Sequence, residues 1–379
     1  MSETKHRRLR VGVVGCGLIA QVMHLPYLRE LEESFEVVVL CDLSPEALEF
    51  GSRMHPHART VARWEDALDE RPDVLLVLVG GSHAPAAIAA AESGIHVFVE
   101  KPMCLTVEEG REMIAAAERG GVCLMVGYMK RYDPAYEALA ARLERRSVKL
   151  ARITTLESPL EPYVEHYPLV RGAVDPSVAA ELADEDAHRV DTVLGDLPEA
   201  IRAAYREILL DSMVHELNAV RGVLGEPDEL RFADVWGEPG PTTGVTATLR
   251  FGETECVFAW VDLPGIARYE QELAFYGDDD RATLTFPSPF LRSMPTRLVF
   301  EGGEPGRPWS WRTEHVTSYE EAFKRELLEL HAAISEDRDP RTPGADALRD
   351  VALCLAIAET AHDGRPRADP TAVEVEEPA

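Results

Sequence analysis

Short apolar, β-branched runs recur along the first third of the chain, at residues 9–14, 35–40, 74–79, 96–99 and 122–126. Stretches with helical spacing lie between them, at 45–54, 84–93 and 107–119. Near-continuous apolar strands separated by helices predict a parallel sheet covered on both faces. The expected architecture is a doubly wound α/β domain.

The rhythm changes after about residue 146. Strands are predicted at 148–157, 229–236, 245–251, 255–261, 269–276, 282–286 and 297–300. Gly252-Glu253 and residues 277–280 read as hairpin connections. These runs predict an α+β domain with a large, mainly antiparallel open sheet. Helices at 319–335 and 345–362 close it. The expected division is therefore 1–128, then 129–363, then a loose, Pro-rich acidic tail at 364–379.

One stretch breaks this pattern. From 157 to about 207 the chain has helical patches and no strand signal, and it carries eleven acids against Arg171 and Arg189 up to Glu199. Two readings stand open: a solvated helical excursion, or a lid over an active site, since long insertions in compact domains are often functional. Its ends adjoin the strand at 148–157 and the helix carrying Asp211 and His215. It is therefore expected to shape a substrate pocket or a subunit contact and to stay off any cofactor site. Tyr163, His166, Tyr167 and Arg171 are its expected polar contacts.

Composition narrows the class. The 379 residues suffice for two cores. The 39 basic and 67 acidic residues leave a net charge of −28, which opposes nucleic acid and anionic membranes as partners. No apolar run approaches the roughly 18 residues that span a bilayer. The polar, basic start does not read as a secretory signal, so a cytoplasmic location is expected. The six cysteines are scattered without metal-knuckle spacing, which predicts buried thiols and no metal site.

Gly15-Cys16-Gly17-Leu18-Ile19-Ala20 fits GxGxx(G/A) at the end of the first predicted strand. The first glycine permits a tight turn, the second lets the backbone approach a pyrophosphate, and Ala20 lets helix and strand pack closely. The N-terminal domain thus reads as a Rossmann domain. Asp42 ends the second strand, where an acid binds the adenosine ribose hydroxyls, and no arginine stands at Leu43 or Ser44. NAD is therefore expected over NADP. Asp42 could instead cap the next helix, although Ser44-Pro45 could do that unaided.

Glu100-Lys101-Pro102 follows the strand at 96–99, which points a lysine into the crevice where such sheets bind ligands. Asp211 and His215, four apart on a helical stretch, share one face. Such a pair suits a general acid/base with an orienting carboxylate. It equally suits an ordinary helix with a capping Asp and a satisfied His. At these residues the chain resembles the Gfo/Idh/MocA family of oxidoreductases. The resemblance is carried by the glycine turn, by residues 94–102 (GIHVFVEKP), by 127–134 (GYMKRYDP) and by 211–218 (DSMVHELN).

That resemblance implies hydride transfer between a nicotinamide and a hydroxyl or keto carbon of a sugar, inositol or nucleotide-sugar. It implies that His215 exchanges the substrate proton, Lys101 holds the reacting oxygen, and Asp211 binds a neighbouring hydroxyl. Lys130 matches a polyol contact, or is a plain surface lysine. Gly15, Gly17, Leu18, Ile19, Asp42, Gly80, His83, Glu100 and Lys101 are the implied cofactor contacts. A homodimer or homotetramer through the C-terminal sheet is implied too. The chain departs from the family at Val79-Gly80-Gly81-Ser82, one residue shorter than the usual Thr-Pro-Asn-like turn, and at Val214, where many relatives carry glycine. Two other readings remain: an NAD-dependent glycosidase on the same scaffold, and a non-catalytic dinucleotide sensor.

Overall fold

A computed structural model of the chain describes residues 7–143, 147–237 and 243–373. It divides into two compact units. The first comprises residues 1–128, 167–193 and 323–348; the second comprises 129–166, 194–322 and 349–379. The chain leaves the first unit after residue 128 and returns to it twice.

In the first unit, β1 (Leu9–Val14), β2 (Phe35–Cys41), β3 (Arg59–Val61), β4 (Val74–Val77), β5 (His96–Glu100) and β6 (Leu124–Gly127) form one sheet in the order β3-β2-β1-β4-β5-β6. Every pairing is parallel. β4 and β6 are buried at every residue, as expected of strands covered on both faces. The strand order reverses between β1 and β4, and the crevice beyond the carboxyl ends at such a reversal is where these sheets bind ligands. Local chemistry sets the helix boundaries. Ser44 caps Pro45–Met54 by accepting the Ala47 N–H at 3.2 Å, with Pro45 at the first position. Thr106 caps Val107–Gly120 likewise, and Gly121 ends that helix at φ +61°.

The second unit is built on β7 (Leu150–Glu157), β8 (Glu229–Trp236), β9 (Gly244–Phe251), β10 (Thr254–Asp262), β11 (Glu270–Tyr276), β12 (Asp280–Phe286), β13 (Arg297–Gly303), β14 (Ser310–Val316) and β15 (Arg367–Ala368). The sheet order is β14-β13-β12-β11-β7-β10-β9-β8-β15, antiparallel except where β7 runs parallel to β10. Burial alternates along β9 and β10, so one face packs and the other meets solvent. Ser212 reaches the packed face, where its hydroxyl accepts the Trp260 Nε1–H at 2.9 Å.

Several expectations need correction. The tail is not loose over residues 364–373: β15 pairs with β8, and Arg367 donates to Thr360 Oγ1 at 2.5 Å. The rest of the expected tail, 374–379, lies outside the described residues. Two helical stretches, Ala20–His24 and Tyr205–Met213, are wound as π-helix rather than α-helix. Among the described residues no helix is long and apolar enough to cross a membrane, and no three His, Cys, Asp or Glu side chains are grouped to hold a metal.

Candidate functional site

The turn after β1 has the shape its sequence demands. Gly15 has φ +96°, and a Cβ there would lie 2.7 Å from the backbone of Leu78 and Val79. Only glycine fits. A Cβ on Gly17, by contrast, would meet nothing within 4 Å. That open, exposed ground lies where Leu18 and Ile19 begin a helix, whose first N–H groups have no intrahelical carbonyl to bond. Asp42, half-buried at the end of β2, accepts the Cys16 N–H and the Ser44 N–H, each at 2.7 Å. The carboxylate is thereby fixed between the glycine turn and the start of the next helix. A cradle with a fixed acid at its rim suits a dinucleotide.

Lys101 stands on a rigid base. Glu100, buried at the end of β5, faces His24 Nε2 at 2.7 Å and accepts the Lys101 N–H at 3.1 Å. Burial pushes the Glu100 carboxyl up, but the His24 hydrogen bond and charge and the Lys101 ammonium outweigh it, and the pKa lies below the ordinary value. His83 is also buried. Its Nδ1 lies 2.8 Å from the Pro102 carbonyl and its Nε2 2.9 Å from the Val79 carbonyl. Burial lowers its pKa. His83 and Glu100 thus both brace the turns that carry Gly80 and Lys101. Gly80 is exposed and open, with nothing within 4 Å of a built Cβ.

The middle of the acidic excursion belongs to this same unit and lies on its carboxyl edge, contrary to the sequence expectation. Gln21 clasps Val170, donating to its carbonyl at 3.0 Å and accepting its N–H at 2.9 Å. Gly172 rests on Ser44. The helix Pro176–Leu194 then docks at its middle: Asp186 accepts the Ser82 N–H at 3.3 Å, and Arg189 pairs with Glu109 at 3.2 Å. The two anchors fall on opposite sides of the β1/β4 reversal, and residues 175–185 between them are exposed. The contacts were invisible in the sequence because two of the partners, Val170 and Gly172, engage through backbone. Of the four expected contacts, Tyr163 makes one within the second unit, where its hydroxyl accepts the Tyr269 N–H at 2.5 Å.

In the second unit Asp211 lies in the last turn of the π-helical stretch Tyr205–Met213 and is exposed, while His215 lies half-buried in Val214–Leu224. π-helical turns of this kind recur at functional sites. Lys130 is buried, not a surface lysine, with its ammonium 5.5 Å from the Phe286 ring centre. Burial raises the Glu157 carboxyl, the charges of Glu216 and Asp211 add to the rise, and Lys130 opposes it, so these groups form one electrostatic cluster. The sequence reading missed what holds it. Buried Glu216 accepts from Thr155 Oγ1 of β7 at 2.6 Å and from Gln271 of β11. Asn218 donates to Asp350 at 2.7 Å, and Arg221 joins the same carboxylate. A signal existed: Glu216 sits three after Met213 and four before Val220, on the apolar face.

Residues 9–128 match the model of an oxidoreductase family with an NAD-binding Rossmann fold. Inositol 2-dehydrogenase 3 of Saccharopolyspora erythraea is 30% identical over 203 residues, covering 52% of this chain and 56% of that protein. The chain thus spans little more than half the length of this relative. Myo-inositol 2-dehydrogenase of Thermotoga maritima is 22% identical over 94% of this chain and 97% of its own. The structure of the WlbA dehydrogenase from Bordetella pertussis, solved with NADH and UDP-GlcNAcA, superposes with a TM-score of 0.69. That match covers 96% of this chain and 99% of that one at 19% identity. At that identity the likeness concerns the fold.

Proposed function

The chain belongs to the Gfo/Idh/MocA family of oxidoreductases, and from that premise we propose that it is an NAD-dependent dehydrogenase or ketoreductase of a sugar, inositol or nucleotide-sugar. The observation that carries the reading is the open glycine turn beside fixed Asp42, in the same unit that holds Lys101 on the His24–Glu100 base. The backbone N–H groups after Gly17 would hold the pyrophosphate, and Asp42 the adenosine ribose. Asp42 repels a 2′-phosphate, which favours NAD. When bound, the nicotinamide accepts or gives the hydride.

The chain's own residues supply the rest. Lys101 holds the substrate oxygen and offsets its developing negative charge. His215 takes the hydroxyl proton in oxidation and returns it in reduction. Asp211 binds a neighbouring hydroxyl, and Lys130 another. We further propose self-association through the solvent face of the nine-stranded sheet, where Phe232 and Val257 are exposed.

The test is a screen of inositols, sugars and nucleotide-sugars with NAD, read as NADH absorbance. Steady NADH formation with one class supports the reading. Binding of NAD without turnover of any class, or cleavage of a glycoside with no net NADH, would overturn it.

A further inference from the structure

Discrimination between NAD and NADP is decided at the 2′ position of the adenosine ribose, beside the acid that ends β2 and the start of the helix that follows. In this chain that ground is already occupied. Gly172 lies against Ser44 so closely that a Cβ on it would fall 1.7 Å from Ser44 Oγ and 2.5 Å from Ser44 Cβ. The neighbouring Ala173 N–H is among the groups that hold the Glu46 carboxyl below its ordinary pKa, after the Glu46 N–H and the Ser44 hydroxyl. Gln21 holds Val170, two residues earlier, and also donates to the Cys16 carbonyl at 2.8 Å, so the segment is tied to the glycine turn itself.

The donors that could receive a phosphate there are used as well. A helix start binds anions through N–H groups that lack partners. At Pro45–Met54 the first residue has no N–H. The Glu46 backbone N–H helps hold the Glu46 carboxyl below its ordinary pKa, Ser44 Oγ accepts the Ala47 N–H, and the Leu48 N–H goes to the Ser44 carbonyl. The Asp42 and Glu46 carboxylates both accept from Ser44, through its N–H and its hydroxyl, at 2.7 and 2.9 Å.

We propose that residues 170–173 are a built-in cofactor-selectivity element: Gly172 lets the chain's own backbone fill the 2′-phosphate position, so that NADP is excluded by occupancy as well as by the charge of Asp42. This rests on the dinucleotide reading of the glycine turn and adds a second, independent barrier. Removing the Asp42 charge alone leaves the backbone plug in place and NADP excluded.

The experiment is equilibrium titration of NAD and NADP onto the full chain, for the parent, Asp42→Ala, and Asp42→Ala combined with Gly172→Val or with Gln21→Ala. Gly172→Val forces the segment off Ser44, and Gln21→Ala releases it at Val170 without adding bulk. Trypsin cleavage after exposed Arg171 reports independently that the segment has lifted, and should speed up in both combined variants. Asp42→Ala alone is expected to leave NADP much weaker than NAD. Either combined variant should then tighten NADP relative to Asp42→Ala by about tenfold, equivalent to about 1.4 kcal/mol. If Asp42→Ala alone equalises the two cofactors, or if the segment lifts and the NADP constant changes less than about threefold, the plug is refuted. A parent that prefers NADP also refutes it and points to Arg171 as a phosphate ligand. A parent that binds neither cofactor removes the dinucleotide reading itself, and the inference with it.

Discussion

His24 Nε2 lies 2.7 Å from Glu100 Oε1, and neither side chain has more than a trace of solvent access. The imidazole is walled by Phe98 and Phe323, with ring centres at 5.6 and 5.7 Å. The pair fixes the strand end from which Lys101 departs. A buried contact to a carboxylate is costly to break from one side, because the Glu100 charge would stay buried without its partner.

His24→Ala should therefore destabilise the chain by about 3–5 kcal/mol, measured by urea unfolding. Glu100→Gln keeps shape and removes the charge. It should cost less stability and lower turnover by misplacing Lys101. A His24→Ala variant with unchanged unfolding would mean the contact contributes nothing net.

Glu326 is fully buried near Glu100, and neither of its carboxylate oxygens has a hydrogen-bond partner. Burial first, and the Glu100 charge second, push its pKa well above the ordinary value. The folded chain keeps this proton above the pH at which the unfolded chain loses it, near about 4.3. The folded state then binds more protons, so this residue's contribution to stability falls as pH rises from there toward the folded pKa. Glu326→Gln removes that loss. Its melting temperature should match the parent near pH 4 and exceed it at pH 8. Equal melting temperatures at both pH values would show Glu326 to be ionised at no cost.

What could be read from the sequence, and what could not, follows from how each element is held. The strands of the first sheet are legible because burial on both faces forces continuous apolar runs. β3 was missed because it is three residues at the sheet edge with only Val61 buried. β14 was missed because nearly all of its residues are exposed, so no apolar alternation marks it. The turn at Gly15 was legible because its positive φ and close packing demand glycine, and the places of Asp42 and Lys101 directly after β2 and β5 were legible from the ends of the apolar runs. Gly172 was not: its role comes from contact with Ser44, 128 positions away, and a glycine in an acidic loop carries no local mark of that. The π-helical winding at Tyr205–Met213 leaves no clear trace either, since its apolar residues satisfy an α-helical spacing equally well.

Lys101→Ala should lower kcat by about 10²–10³, the usual loss of one preorganised charge stabiliser. NAD affinity, read by titration, should stay near the parent value, because the proposed reading gives the adenosine half to Gly17 and Asp42 and not to Lys101. Loss of NAD binding with turnover preserved in the residual complex would make Lys101 a cofactor contact only.

His215 carries the decisive test of the proton path. If it is the general base, the rate of substrate oxidation should rise with pH as the imidazole loses its proton. His215→Asn keeps approximate size and cannot exchange the proton, so it should cost about 10²–10⁴ in kcat and flatten that limb of the profile. Neighbouring Glu216 separates chemistry from scaffolding. It is buried against Thr155 and Gln271, so Glu216→Gln should disturb the helix seat and lower stability while the pH limb persists. Asp211→Asn, on an exposed position, should raise KM more than it changes the limb. Near-normal turnover and an unchanged pH profile in His215→Asn would move the acid/base role elsewhere, and Tyr163 would be the next residue to replace. If Glu216→Gln alone flattened the limb, the proton would be passing through the buried carboxylate and the helix seat would itself be part of the chemistry.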